Sequence, residues 1–150
     1  MVAEHKKASP MIESPRKAEY VRRSRLRDFL HDCIASTSAE QPARLTEAAE
    51  IFRLPPEPRR ALAAMLASGA YESAAMLVLG TEKPFMLSRG GPGLCLATTV
   101  LGDGIEDATA EAATLALALL AAHTVALLAA HDGTAIAPGI TGAPLGARLN

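Results

Sequence analysis

The sequence predicts an α+β domain: N-terminal helices, a three-stranded antiparallel meander, and a C-terminal Ala/Leu-rich helix packed on the sheet. Three observations carry that expectation. The nineteen residues from Ala112 to Ala130 (AATLALALLAAHTVALLAA) hold no formal charge and must be kept from water. Three short apolar runs of strand length precede them, 74–80 (AAMLVLG), 84–88 (PFMLS) and 94–101 (LCLATTVL), divided by the turn-forming GTEKP and RGGPG. Before those, apolar residues recur with helical spacing.

Taken in order, residues 1–15 are polar, contain Pro10 and Pro15 and show no period, so a disordered tail is expected. A single domain is expected over 16–132, with a helical part at 16–68 and a ββ(β)α part at 74–131. A first helix from Arg16 to Ala35 follows from Leu26, Phe29, Leu30, Cys33 and Ile34, which fall on one face, with Val21 earlier on it. A second, near Ala43 to Arg53, presents Leu45, Ala48, Ala49 and Phe52, and Pro55-Pro56 forbids its continuation. A third starts near Glu57-Pro58, where proline is tolerated, and stops at Ser68-Gly69 with glycine able to take the left-handed cap. The three apolar runs then read as the meander. In the last of them Cys95, Ala97, Thr99 and Leu101 form a mostly small face, suited to an Ala-rich helix lying close on it. That helix is expected to begin at Asp107 or Thr109, with Glu106, Asp107 and Glu111 favoured at its N-terminus by the dipole, and to reach His131. Residues 133–150 are Gly/Pro-rich and read as a flexible tail.

The uncharged segment 112–130 is long enough to span hydrocarbon, which makes a single-pass membrane anchor one reading. Against it stand the high share of Ala, His123 and Thr124 within the segment, the absence of flanking Trp or Tyr, and flanks of Asp107, Glu111 and Asp132 rather than Lys or Arg. A meander also needs a covering layer, and this helix is the strongest candidate for it. The core helix is therefore the preferred reading.

At 150 residues the chain supports one domain with a real core, built from Ala, Leu, Met and Val because aromatics are only 3% and Trp is absent. The Ala, Leu and Arg usage is what a GC-rich bacterial genome would give, so a bacterial source is expected. Net charge is −1, but residues 1–27 hold eight bases against three acids, while the remainder holds seven bases and thirteen acids. A basic arm on an acidic body is consistent with binding nucleic acid, anionic lipid or a second copy. Cys33 and Cys95 sit in apolar settings and read as reduced core residues. With no apolar run in the polar N-terminus, a cytoplasmic protein is expected.

No motif here reads as a catalytic, metal or cofactor site. RGGPG at 89–93 leads into a strand and lacks a following Lys-Ser/Thr, so it is a hairpin turn rather than a phosphate loop, with Arg89 free for an anion contact at its tip. The acids around Gly102–Gly104 match no calcium loop, and His123 and His131 lie eight residues apart, too far to share a metal. His123 is expected to be a hydrogen-bonded core or interface residue.

The segment 46–66 (TEAAEIFRLPPEPRRALAAML) resembles a helix-turn-helix in outline. It departs from that pattern with Pro55-Pro56 where glycine is usual and Arg59 where an apolar residue packs. Its second helix offers base edges little beyond Arg59 and Arg60. Three function classes follow. The first is a small non-enzymatic accessory or regulatory protein acting through protein–protein contacts and self-association, since one helix covers one sheet face and the other needs the N-terminal helices or a second copy. The second is a DNA-binding regulator using Arg16, Lys17, Arg22, Arg23, Arg25 and Arg27 with Arg59 and Arg60. The third is the membrane-anchored protein.

Overall fold

The computed structural model describes residues 14–101 and 106–132. The expected tails lie outside them, Ser14 and Pro15 apart. The elements run α1 (Pro15–Ala35), a 3-10 turn (Ser38–Glu40), α2 (Gln41–Ile51), α3 (Pro56–Ser68), α4 (Tyr71–Leu79), β1 (Phe85–Arg89), β2 (Cys95–Leu101), β3 (Glu106–Ala112) and α5 (Leu115–His131). This is an α+β fold in which the C-terminal helix packs on a three-stranded antiparallel sheet.

Helix α1 opens with Pro15 at its first position, where a missing N–H costs nothing, and buries Leu26, Phe29 and Cys33. The stripe is narrower than its sequence suggests: Ile34 and Val21 stay about half exposed. Ser36 closes the helix, its Oγ donating to the Asp32 carbonyl at 2.6 Å. Thr37 and Glu40 then form a capping box, the Thr37 N–H donating to the Glu40 carboxylate at 2.7 Å. That bond holds the Glu40 carboxyl below its usual range. Helix α3 ends as expected on Gly69, which takes φ 74°.

Two elements differ from the sequence expectation. Residues 74–79 are helix, not strand: Ala74, Ala75, Val78 and Leu79 are buried at helical spacing while Met76 is exposed, and α4 packs against α2, α3 and α5. A short apolar run has no periodicity that separates a strand from a buried helix, and Ala, Met and Leu are strong helix formers. The third strand is instead supplied by 106–112, read from sequence as the start of the last helix. There Ala108, Ala110 and Ala112 face inward while Asp107, Thr109 and Glu111 face out, a strict period of two. Neither Asp107 nor Thr109 caps α5. Thr114 does, its Oγ1 accepting from the Leu117 N–H at 3.2 Å. The expected acidic cluster therefore lies on a strand for Glu106, Asp107 and Glu111, and Asp103 lies outside the described residues.

The sheet order is β1-β2-β3, both pairs antiparallel, with Leu87 opposite Ala97 and Ala97 opposite Ala110. Its inner face is Cys95, Ala97, Thr99, Ala108, Ala110 and Ala112, all buried. Side chains that small let α5 lie close, near enough for Thr99 Oγ1 to donate to the Ala122 carbonyl at 3.4 Å. The helix packs on β2 and β3 and also carries α1, α4 and α2. Every residue from Ala116 to Thr124 is buried, two and a half turns enclosed in all directions. Helix α5 is thus a middle layer. Among the described residues no helix is long and apolar enough to cross a membrane.

This layering resolves how the sheet is covered. The N-terminal helices stack on α5, not on the sheet's far face, where Met86, Ser88, Asp107, Thr109 and Glu111 are exposed. Strand β1 is an edge strand exposed along most of its length, with Phe85 at 38% and Met86 at 69%.

Candidate functional site

The most concentrated set of polar groups lies where the first half of α1 passes the ends of α2 and α5. A groove of about 450 Å³ opens there, lined by Ala18, Val21 and Ile51 and by Arg22, Arg25, Arg53, His131, Glu19 and Glu50. The helical repeat explains how α1 contributes. Arg22 lies four residues before Leu26 and seven before Phe29, and Arg25 four before Phe29, on or beside the face that becomes core further along. Both arginines are exposed there, as is every described residue of α1 before Arg23.

Arg53 reaches the groove from an unusual backbone. It adopts φ 55° just past α2 and is the non-glycine residue with positive φ among those described. The left-handed region costs an L-residue with a Cβ about 1 kcal/mol, and glycine is the residue this helix-ending position favours. The turn is held by Leu54 N–H donating to the Ala49 carbonyl at 2.9 Å and by Arg59 from α3. Arg59 donates from Nε to the Leu54 carbonyl at 2.7 Å, from Nη2 to the Ala49 carbonyl at 3.4 Å and from Nη1 to Glu50 at 2.6 Å. Glu50 is therefore already partnered, and Glu19 is the acid left on the groove's rim.

The structure disperses the sequence-derived cations. Arg22 and Arg25 enter the groove. Arg23 pairs with Asp132 just past α5. Arg59 is committed to the end of α2. Arg60 is exposed on α3, which packs on α4, and Arg16, Lys17 and Arg27 are exposed along α1. The helix-turn-helix outline at 46–66 corresponds to most of α2 and α3, but Arg59 turns back onto the protein instead of outward. Arg89 ends β1 and lines a separate cleft of about 680 Å³ with the hairpin glycines, Tyr71, Glu72 and the start of α5. There Glu72 supplies an opposing charge. Sequence reasoning missed Arg53 and His131. The legible signal for Arg53 was its place between the end of a helix and Pro55-Pro56, where a left-handed residue is needed.

The remaining titratable groups are built into the core. His123 is 4% exposed, its ring edge-on to Phe52 at 4.9 Å, and Phe52 in turn packs edge-on to Phe29 at 5.9 Å. The expected hydrogen bond to His123 is absent at Nδ1, which has no partner among the described residues. Burial, aided by the charge of Lys83, pushes its pKa down to about 4, so the ring is neutral. Cys33 and Cys95 are buried free thiols, and burial pushes Cys33 up to about 12, which removes thiolate chemistry. Among the described residues no group of three His, Cys, Asp or Glu side chains is placed to hold a metal. Comparison with family models, with curated proteins and with solved structures finds no match to this chain.

Proposed function

We propose that this chain is a non-catalytic accessory or regulatory protein that works through protein–protein contacts and pairs with a second copy of itself. The observation that carries the reading is β1. It is an edge strand exposed at every position but Leu87, which is half-buried against the core, and its sequence is Phe85-Met86-Leu87-Ser88-Arg89. Exposed edges of that composition are templates for another strand. The opposite edge is protected, because β3 carries Asp107 and Glu111 and is flanked by α1. Antiparallel pairing of two β1 strands about a twofold axis at Leu87 places Met86 opposite the partner's Ser88 and makes one six-stranded sheet.

Cytoplasmic residence belongs to the same proposal and rests on two buried, unpaired cysteines, and a bacterial source rests on the Ala, Leu and Arg usage alone. The nucleic-acid reading draws less support, since its second helix has committed Arg59 internally and retains Arg60 as its exposed cation. Light scattering on the eluting protein tests the pairing. The expected mass is twice the 15.6 kDa of one chain, falling to one chain in Met86→Lys with an unchanged circular dichroism spectrum. A wild-type protein of single-chain mass at tens of micromolar, or a Met86→Lys variant that stays paired, overturns the proposal.

A further inference from the structure

We propose that the groove bounded by Arg22, Arg25, Arg53 and His131 binds a small organic molecule through its phosphoryl group. Two independent features converge on it. The first is the placement of Arg22 and Arg25: the helical repeat sets them on or beside the line of Leu26 and Phe29, both are exposed and line the groove, and neither has an ion-pair partner among the described residues. Their cluster also opposes the dipole at the N-terminal half of α1, so local helix electrostatics do not account for them. The second is the left-handed Arg53. A glycine there would relieve the backbone, and the residue present is instead a long cation directed into the same groove. Strain of this kind persists where the surroundings over-determine it and is concentrated at binding sites.

Arg53 and His131 lie at the C-terminal ends of α2 and α5, where a cation is favoured even without a ligand. That accounts for their charge but not for the two α1 arginines facing them, nor for the choice of arginine at a left-handed position. Three guanidinium groups offer more planar donor pairs than one carboxylate can occupy. They match a phosphoryl group with its several oxygens and greater charge. The apolar floor of Ala18, Val21 and Ile51 suits the organic part of such a molecule, and about 450 Å³ is the volume of a small-ligand site. Glu19 also lines the groove and can accept a hydrogen bond from the organic part of the molecule.

Calorimetric titration of the full chain with inorganic pyrophosphate at physiological salt tests the site, alongside a short DNA duplex as a second arm. One pyrophosphate per chain is expected. Binding should weaken by about tenfold or more in Arg22→Gln/Arg25→Gln, the scale of a lost charge-assisted hydrogen bond. Arg53→Gly separates binding from folding: it is expected to melt at a higher temperature than the parent chain and to bind pyrophosphate more weakly. Absence of pyrophosphate binding overturns the proposal, as does binding that survives both variants. Duplex binding at that salt without saturable pyrophosphate binding also overturns it, and makes the groove part of a nucleic-acid surface.

Discussion

His123 shows how one side chain ties the core to solution conditions. Its ring is neutral and enclosed, edge-on to Phe52, and Nδ1 has no partner among the described residues. In the unfolded chain the same imidazole titrates near 6.5, and in the folded protein near 4. The unfolded state therefore binds more protons between those values, so stability is full above pH 6.5 and is lost as pH falls toward 4. The shift corresponds to a loss on the order of 3 kcal/mol across that window. In His123→Leu the acid-side loss should shrink by most of that amount, and stability at neutral pH should rise because a buried unpaired nitrogen is gone. Urea denaturation of both proteins from pH 4 to 8 checks this. Parallel pH profiles would show that another group governs the acid limb. At the same scale Arg59 has an architectural role, since its three contacts hold the α2 end in the turn that presents Arg53.

At the scale of elements, the inner sheet face sets the packing distance. Ala97 is fully buried on the central strand, between Leu87 and Ala110 and beneath α5. Ala97→Leu should destabilise the protein by about 1–3 kcal/mol through overpacking, whereas Glu111→Gln on the open face should stay within about 0.5 kcal/mol. Chemical denaturation of the pair reads the difference directly. The same geometry explains what the sequence disclosed. Helices α1, α2 and α3 were legible because their apolar positions recur at helical spacing and because Gly69 and the prolines mark their ends. Strands β1 and β2 were legible through the RGGPG turn. Helix α4 was not, because the run 74–79 is apolar throughout: its solvent-facing position is Met76, so no polar residue there marks the helical period. Strand β3 was obscured by Ala and Glu, which favour helices in isolation. Its alternation of Ala108, Ala110 and Ala112 with Asp107, Thr109 and Glu111 was present but outweighed by the expectation of acids at a helix start. The groove was half legible: Arg22 and Arg25 belong to an evident basic run, while Arg53 and His131 join them only through the tertiary meeting of three helix ends.

At the scale of the molecule, α5 organises everything else. A helix apolar on all sides has no preferred direction for its partner, and here it is satisfied from both sides, by the sheet and by α1, α2 and α4. Stacking the N-terminal helices on α5 leaves the far face of the sheet and the β1 edge to solvent, and that exposure is the basis for proposing a paired assembly. Hydrogen–deuterium exchange of the purified chain, in buffer without detergent, tests the enclosure of α5 most directly. The amides of Leu117 to Thr124 are expected to exchange only through global unfolding, well behind those of β1 and the ends of α3. Exchange of that segment as fast as that of β1 would contradict the middle-layer arrangement.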